Sequence, residues 1–214
     1  MCGRVRMAED HSETKIQLKF DLDMPEMRRP SRNLPPTWDL PGIRRVGPKV
    51  EIIPMFWSLL APWAKEKKTK YATHNARVET MRESRLFSKP WADGQRCLIV
   101  VDAFYEWRKP DKTCFTVFRR DGQPLVFGGL YQDWTSPDGE VVPTCTIITT
   151  EPNPAFAALH DRLAFIPREE DWEAWLGVER IDNDEAFDLI KPCAEDVLDW
   201  KEGKPGELDW KLVA

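Results

Sequence analysis

Apolar residues in the middle of the chain are grouped in five runs of strand length, and polar turn residues separate them. Two of the turns contain an Asp-Gly pair, at residues 121–122 and 138–139, and such pairs favour hairpins between the flanking strands. A third turn follows the second run at residues 109–111. The pattern predicts strands at residues 50–56, 96–107, 114–119, 125–134 and 141–149.

Helical patterns are fewer than strand-like runs. They predict helices at residues 75–87, 153–159 and 169–176, and the acidic start of the last one, at residues 169–171, suits a helix amino end. Residues 30–48 are rich in Pro and predict an ordered extended loop. We therefore expect an α+β fold in which a mainly antiparallel sheet curls toward a barrel and a few helices flank it.

Length and composition predict one domain over all 214 residues, without an internal repeat or linker. No apolar run reaches the ~20 residues of a membrane-spanning helix, and the charged start lacks a signal-peptide core. We expect a cytoplasmic protein, associated with the nucleoid in a bacterium, and no membrane partner. The five cysteines are scattered without a CxxC pair, and only three histidines are present, so we expect no disulfide framework, metal or cofactor.

The net charge of −5 argues against a protein that covers nucleic acid with a whole basic face, but it is compatible with a narrow basic groove. Ten tryptophans are present. Most scattered tryptophans pack in cores, and a minority stack on bases. Composition therefore leaves nucleic-acid binding open.

Cys2 is the most informative residue of the chain. Removal of the initiator Met1, which a small second residue permits, would leave Cys2 as the amino terminus, with an amine and a thiol on adjacent carbons. An α-amine has a pKa near ~8 and is partly neutral at physiological pH, so it can attack an aldehyde. The thiol can then add to the imine and close a five-membered thiazolidine ring. On its own, a Met-Cys start more often has no such role.

Glu106 and His160 are candidates for the proton transfers that this chemistry needs. Glu106 stands among the aromatic residues of positions 104–107, where an apolar environment suits a carboxyl group that moves protons. His160 precedes Asp161 and Arg162, and an imidazole titrates near neutrality. A solvent-facing Glu and a surface or core His remain the alternatives at these two positions.

Asn75 and Arg77 stand two residues apart, so on an extended segment they would share a face while Ala76 points away. Asn75 offers an amide that can orient an amine or a sugar, and the planar fork of Arg77 suits a phosphate. By composition alone, the same segment is a turn with a solvated charge.

Eight short motifs occur in an order that resembles the SRAP family (SOS response-associated peptidase), whose members are sensors of abasic DNA that attach covalently to the lesion through a terminal cysteine. One motif alone is unspecific, whereas the ordered set, which spans roughly residues 2 to 176, is highly specific. The motifs are MCGR at 1–4, RNLPPT at 32–37, WSLLAPWAK at 57–65, NARVET at 75–80, RCL to FYEW at 96–107, GGLY at 128–131, TT at 149–150 and HDRL at 160–163.

The resemblance implies an SRAP-like fold and roles for individual residues. Cys2 would be the nucleophile and Asn75 would orient it. Glu106 would act as general acid and base, and His160 would transfer protons and help to reverse the cross-link. For the DNA strand we expect contacts from Arg4, Arg77, Thr149 and Arg162, helped by Lys65, with Trp38 or Trp63 stacking on a base.

Other positions refine this resemblance. Residues 38–41 are expected to form an apolar wedge that parts DNA strands, as similar loops do in the family. Glu79 is expected to be structural and to pair with a buried Arg. The chain departs from the family at Leu163-Ala164, where Met-Pro is usual, and from about residue 177 onward, where the tail is acidic and divergent.

The leading hypothesis is a monomeric, peptidase- or lyase-like sensor of abasic sites in single-stranded DNA. It would form a thiazolidine cross-link through Cys2, reverse it, and remove Met1 by itself. One alternative is an amidase in which Cys2 is an amino-terminal nucleophile that turns over through a transient thioester. The other is a non-covalent binder of modified DNA in which Cys2 only lines a pocket.

Overall fold

The computed structural model describes residues 2–7, 20, 22, 25, 31–68 and 71–207. Met1, Pro30 and residues 208–214, on which parts of the sequence predictions fall, lie outside the described residues. The strands are β1 (Val5–Met7), β2 (Ser31–Leu34), β3 (Asp39–Val46), β4 (Lys49–Trp57), β5 (Asn75–Arg77), β6 (Arg96–Val101), β7 (Ala103–Trp107), β8 (Cys114–Arg119), β9 (Leu125–Thr135), β10 (Val141–Thr150), β11 (Leu163–Ala164) and β12 (Leu198–Glu202). The helices are α1 (Val78–Met81), α2 (Ser88–Ala92), α3 (Pro154–Ala157), α4 (Trp172–Leu176) and α5 (Asn183–Asp188), with a 3₁₀ turn at Glu169–Asp171. None of these helices is long and apolar enough to cross a bilayer.

Five of the strands close into a barrel. The antiparallel pairs β4–β3, β3–β6, β6–β9 and β9–β10 follow one another, and β10 then pairs with β4 in the parallel direction at Thr144 and Cys145. The short strands β5 and β11 extend the sheet along the carboxyl-terminal part of β10. This ring confirms the predicted α+β fold with a curled, mainly antiparallel sheet.

The remaining five strands form an antiparallel sheet in the order β12, β8, β7, β1, β2, called here the second sheet. Strands β6 and β7 are separated only by Asp102, yet β6 belongs to the barrel and β7 to the second sheet. The backbone N–H of Asp102 donates to the carbonyl of Arg6 in β1 over 3.0 Å, which ties the change of sheet to β1. The prediction of one strand over residues 96–107 is therefore wrong.

The two sheets pack against each other through one buried cluster, which contains Phe104 from the second sheet and Ile99 and Phe127 from the barrel. The rings of Phe104 and Phe127 meet edge to face with their centroids 5.7 Å apart. The opposite face of β6 packs against Trp175 of α4 in a second cluster. Because β6 is buried on both faces, residues 97–101 form an uninterrupted apolar run rather than an alternating one.

The two Asp-Gly turns have different outcomes. The turn at residues 138–139 joins β9 to β10, whose residues Thr135 and Val141 lie opposite each other, so this hairpin is confirmed. The turn at residues 121–122 joins β8 to β9, which belong to different sheets, so the hairpin predicted there is wrong. An Asp-Gly pair supplies a tight turn, but burial of the flanking side chains decides which strands pair.

The Pro-rich stretch is not an extended loop, because residues 31–34 form β2 and residues 39–46 form β3. Pro41 in β3 stands opposite Pro54 in β4, so the two missing N–H donors fall at one position of the ladder. The prediction of an extended loop over residues 30–48 is therefore wrong. Strands form there because the two prolines within β3 and β4 lie opposite each other, so the missing N–H donors interrupt the ladder at one position only.

Two of the three predicted helices are confirmed in shortened form, as α3 and as α4 with its preceding turn. The third is wrong at both ends, because residues 75–77 form β5 beside β10 and α1 covers only Val78–Met81. The segment after residue 177 contains α5 and β12, and β12 is the edge strand that pairs with β8. The segment that was predicted to diverge therefore contributes a strand to the second sheet.

We predict that Gly129→Ala destabilises the barrel. A Cβ at Gly129 in β9 would lie 2.4 Å from the backbone oxygen of Thr146 in β10, so the two strands would have to move apart. We expect the free energy of unfolding, measured by urea denaturation, to fall by about 3 kcal/mol. In the control variant Gly122→Ala the Cβ meets nothing within 4 Å and only the φ of +75° opposes it, so a loss of about 1 kcal/mol is expected. Equal losses in both variants would contradict this explanation.

Candidate active site

The four residues predicted to be catalytic meet where the second sheet joins the barrel. Cys2 precedes β1, Asn75 begins β5, Glu106 is in β7, and His160 follows α3. The side-chain amide of Asn75 donates to the carbonyl oxygen of Cys2 over 2.8 Å. The Oε1 of Glu106 is 3.6 Å from Nε2 of His160. The structure thus gathers residues that are far apart in the sequence, while their catalytic roles stay predictions.

Cys2 is brought close to Glu106 because β1 pairs with β7 in the antiparallel direction. The N–H of Tyr105 donates to the carbonyl of Arg4 over 2.9 Å, so the ladder continues from β1 toward the start of the chain. Cys2 and Glu106 are only 2% and 3% exposed, respectively. A thiol and a carboxyl group therefore share a site from which most water is excluded.

Burial raises the pKa of the Cys2 thiol well above its ordinary value, and the carboxylate of Glu106 raises it further. A hydrogen bond from the backbone of Arg4 lowers this pKa by a smaller amount. The thiol is therefore neutral at physiological pH, in contrast to a cysteine that is activated as a thiolate. A reaction at this site must begin at another nucleophile, or must remove the thiol proton during the step.

The barrel holds Asn75 in place through the residue before it. Strand β5 runs parallel to β10 with Asn75 opposite Ile147, and the N–H of Ile147 donates to the carbonyl of His74 over 3.0 Å. The indole N–H of Trp57, a fully buried residue at the end of β4, donates to the same carbonyl over 3.0 Å. The backbone just before Asn75 is anchored to two strands, which fixes the direction of its amide. The sequence analysis assigned no role to His74 or Trp57.

Hydrogen bonding assigns the tautomer of His160. The backbone N–H of Arg162 donates to Nδ1 over 3.0 Å, so in the neutral ring the proton is on Nε2, the nitrogen nearer to Glu106. Burial lowers the pKa of His160, and the carboxylates of Glu106 and Asp161 oppose this effect only in part. His160 is therefore mostly neutral at physiological pH.

Arg162 is held in an ion pair at the edge of the site. Its guanidinium donates to both carboxylate oxygens of Glu79, over 2.6 and 3.0 Å, and to the carbonyl of Thr149 over 2.6 Å. The predicted pairing of Glu79 with an Arg is confirmed, although Arg162 is partly rather than fully buried. Because Thr149 is fully buried in β10, these bonds tie the segment that follows His160 to the barrel. Phosphate contacts by Arg162 and Thr149 stay predictions.

Arg77 and Arg4 flank the buried cluster. Arg77 ends β5 and its side chain is exposed, two residues after Asn75. Nη1 of Arg4 donates to Oδ1 of Asn33 over 3.1 Å. Ala76 packs in the cluster behind β6, away from Cys2, as the alternation predicted. The contacts of both arginines with a DNA strand stay predictions.

The two tryptophans predicted to stack on bases differ in exposure. Trp38 is partly buried and packs against the cluster between the sheets. Trp63 is 56% exposed, and the guanidinium of Arg85 lies 4.6 Å from its ring centroid. The wedge predicted at residues 38–41 is wrong, because β3 begins at Asp39 and Leu40 is fully buried. Residues 40–43 of β3 are all buried, so this segment belongs to the core.

The sequence analysis missed most of the segment called here the basic loop, which comprises residues 63–68 and 71. Tyr71 is 80% exposed. Lys65, Lys67 and Lys68 lie between Trp63 and Tyr71 in the sequence. The signal was present as lysines flanked by two aromatic residues, and positive charge beside exposed rings is a combination that suits single-stranded nucleic acid.

Cys114 in β8 stands opposite Trp107, and burial raises the pKa of its thiol, which the nearby carboxylate of Glu106 raises further. The other three cysteines belong to other parts of the fold. Cys97 and Cys145 are fully buried, and burial raises the pKa of both thiols, as expected for small core residues. Cys193 is half-buried. In the part of the chain that the structure describes, no group of three or more His, Cys, Asp or Glu side chains is arranged to hold a metal ion.

Comparison with known proteins identifies the class that this fold and site define. The model of the family described as SOS response associated peptidase (SRAP) matches residues 1–204, and the chain belongs to this family. The match extends beyond the ordered motifs and includes α5 and β12.

Individual relatives are similar over nearly the whole chain. The abasic site processing protein YoqW of Bacillus subtilis is 34% identical over 203 residues, which cover 93% of this chain and 90% of the relative. The abasic site processing protein YobE of the same organism is 32% identical, covering 93% and 92%. A crystal structure of a Bordetella bronchiseptica protein superposes with a TM-score of 0.81 at 24% identity, covering 95% of this chain and all of that one. This last likeness shows the fold alone.

We predict that His160 makes the protein less stable as the pH falls below about 6.5, the ordinary pKa of histidine. Because the pKa of His160 is lowered in the folded protein, the unfolded chain binds more protons between the two pKa values. The free energy of unfolding therefore decreases as the pH falls through this window, and the contribution is absent above it. His160→Gln should reduce this slope in urea denaturation over a pH series. An unchanged slope in the variant would contradict the assignment.

Proposed function

We propose that this protein senses abasic sites in single-stranded DNA and captures them covalently, through a thiazolidine ring formed at Cys2 after Met1 has been removed. The observation that carries the proposal is the buried cluster in which Asn75 holds Cys2 beside Glu106 and His160. The relatives YoqW and YobE, which bear the name abasic site processing protein, support the same substrate.

The first bond in this mechanism joins the α-amine of Cys2 to the aldehyde carbon of the ring-opened sugar. Because burial and Glu106 keep the thiol neutral, the amine is the stronger nucleophile. Addition produces a carbinolamine. The carboxylate of Glu106 takes the proton that remains on the nitrogen and passes it to the hydroxyl, which leaves as water as the imine forms. Oδ1 of Asn75 is buried without a hydrogen-bond partner within the described residues, so it can accept from the amine and aim it.

The second bond joins the sulfur of Cys2 to the imine carbon. The thiol adds across the C=N bond and its proton passes to the nitrogen, so the ring forms with the overall loss of one water. His160 and Glu106, 3.6 Å apart, can relay that proton. In reverse, the same pair returns a proton to the sulfur as the C–S bond breaks. Hydrolysis of the imine then releases the DNA.

The DNA contacts in this proposal come from two arginines next to the catalytic residues in the sequence and from the basic loop. Arg4 and Arg77 contact phosphates, and the exposed rings of Trp63 and Tyr71 in the basic loop stack on unpaired bases. The lysines of the loop add positive charge to a protein whose net charge is −5. A narrow basic track on an acidic protein favours binding of one flexible DNA strand, whereas binding along a duplex calls for a wide basic face.

The peptidase activity in the family's name corresponds, in this proposal, to self-removal of Met1, which frees the α-amine. One protein molecule stays bound to each captured lesion until the cross-link is reversed, and the proposal takes the protein to be a cytoplasmic monomer. Each proton transfer has a donor in Cys2, Glu106 or His160, and the mechanism calls on no metal, cofactor or membrane.

We predict a heat-stable adduct when the protein is mixed with single-stranded DNA that carries one abasic site. Cys2→Ala keeps the α-amine but lacks the thiol, so its imine should survive heating only after borohydride reduction. Glu106→Gln keeps the thiol but cannot supply a proton, so adduct formation should slow by about 10²–10⁴-fold. Denaturing gels quantify the adduct. Its intact mass reports the loss of one water and whether Met1 is present.

DNA with an intact base in place of the lesion is the control and should give no adduct. A heat-stable adduct from Cys2→Ala without borohydride would rule out the thiazolidine. If Met1-free wild-type protein gives no adduct, the proposal fails. Turnover on amide substrates then tests the amidase alternative, and unchanged DNA binding by Cys2→Ala would favour a non-covalent binder.

We predict that Arg77→Ala weakens binding to single strands regardless of their base sequence, because Arg77 contacts a phosphate. The slope of log affinity against log salt should fall by about 0.7. Fluorescence anisotropy in a Cys2→Ala background measures the affinity without covalent capture. Arg180→Ala removes the same charge from an exposed residue after α4 and should leave the slope unchanged. Equal effects of the two variants would refute a specific contact.

A further inference from the structure

His160 has a second charged neighbour at its other ring nitrogen. Oδ1 of Asp161 lies 3.1 Å from Nδ1, the nitrogen that also accepts the N–H of Arg162 over 3.0 Å. In a neutral ring Nδ1 accepts from Arg162, whereas in a charged ring Nδ1 carries a proton that it can donate to Asp161. Nδ1 therefore has a partner in either protonation state, which is the arrangement of a two-state proton site.

Asp161 is itself paired with a cation from the hairpin that holds Glu106. The ammonium group of Lys109 binds Oδ2 of Asp161, while Oδ1 is the oxygen next to His160. Lys109 lies in the turn after β7, three positions beyond Glu106. The hairpin of β7 and β8 thus places the carboxylate of Glu106 near Nε2 of His160. It also places the ammonium group of Lys109 against Asp161, the carboxylate next to Nδ1.

We propose that Lys109 and Asp161 together set the protonation state of His160, and thereby the pH range in which the cross-link is formed and released. The second part rests on the function proposed above. Lys109 and Asp161 are positioning residues that act through His160. Asp161 stabilises the charged ring, and Lys109 limits that stabilisation by neutralising part of the charge of Asp161.

The charges around His160 act in opposite directions. Burial lowers its pKa, whereas the carboxylates of Glu106 and Asp161 raise it. Lys109 lowers the pKa of Asp161, so the carboxylate stays ionised. The guanidinium group of Arg162 is engaged in its own ion pair. Among these groups, Lys109 and Asp161 can be changed without altering the buried cluster, because more than half of each side chain is exposed.

If this arrangement controls His160, removing Asp161 and removing Lys109 should shift the pH at which His160 titrates in opposite directions. Asp161→Asn removes a negative charge next to the ring, so His160 should titrate at lower pH. Lys109→Met exposes the ring to the full charge of Asp161, so His160 should titrate at higher pH. Because the pair is solvent-exposed, each shift should be about 0.5 to 1 pH unit at low salt and should shrink as salt is added.

The test is an NMR titration of the full chain labelled with ¹⁵N in its histidines. The ring signals of His160 are assigned by their loss in His160→Gln, and the ¹⁵N shifts report which nitrogen carries the proton. Lys109→Met and Asp161→Asn are compared with wild type. Lys112→Met is the control, since it removes the same charge from the same turn.

The proposal requires the midpoint to rise in Lys109→Met, to fall in Asp161→Asn and to stay unchanged in Lys112→Met. Shifts of equal sign in the first two variants, or a shift in Lys112→Met as large as that in Lys109→Met, would overturn it. A structural defect in a variant would change the other amide signals as well, and the opposite signs distinguish a charge effect from such damage.

The same variants are then assayed for adduct formation and release over a pH series with abasic single-stranded DNA. The pH midpoints of the rates should follow the NMR midpoints in direction. If the His160 titrations shift as expected but no variant and no wild-type protein forms an adduct, the function proposed above fails while the control of His160 stands. If adducts form and the titrations do not move, the inference about Lys109 and Asp161 is wrong.

Discussion

The hydrogen bond from the Asn75 amide to the Cys2 carbonyl is the contact on which the site depends. It joins residues 73 positions apart and connects the start of the second sheet to the barrel. A neutral hydrogen bond contributes only about 1 kcal/mol net, but losing one partner leaves the other buried and unsatisfied. The bond therefore matters chiefly because it sets where the beginning of the chain lies relative to Glu106.

Strand β10 supports this contact from the barrel side. It pairs with β9 and β4 to close the ring, and its last residues hold β5, with Asn75, and β11. The ion pair of Arg162 with Glu79 and the bond from Arg162 to Thr149 tie the segment after His160 to the same strand. Consequently Asn75 and His160 share one rigid support, whereas Cys2 and Glu106 are carried by the neighbouring strands β1 and β7.

Sequence reasoning succeeded where local pattern and tertiary role agree. Strand β8 occupies the predicted residues 114–119, and the hairpin between β9 and β10 forms at its Asp-Gly turn. It failed where a local signal was overruled by a distant partner. Residues 75–77 look helical in the sequence but form a strand because β10 offers them hydrogen bonds. The apolar run at 96–107 divides at Asp102 because its two halves pair with different sheets.

The sequence by itself determined the chemistry that this protein can offer: a cysteine at position 2, and the Asn75, Glu106 and His160 that proved to surround it. Residue types and the order of motifs can be read directly from the sequence because they depend on covalent structure alone. Only the tertiary structure decided that the thiol is neutral, that Nε2 of His160 is nearer to Glu106, that Arg162 is bound to Glu79, and that Lys109 reaches Asp161. Protonation states and ion pairs depend on burial and on distances between residues far apart in the chain, and folding alone sets these.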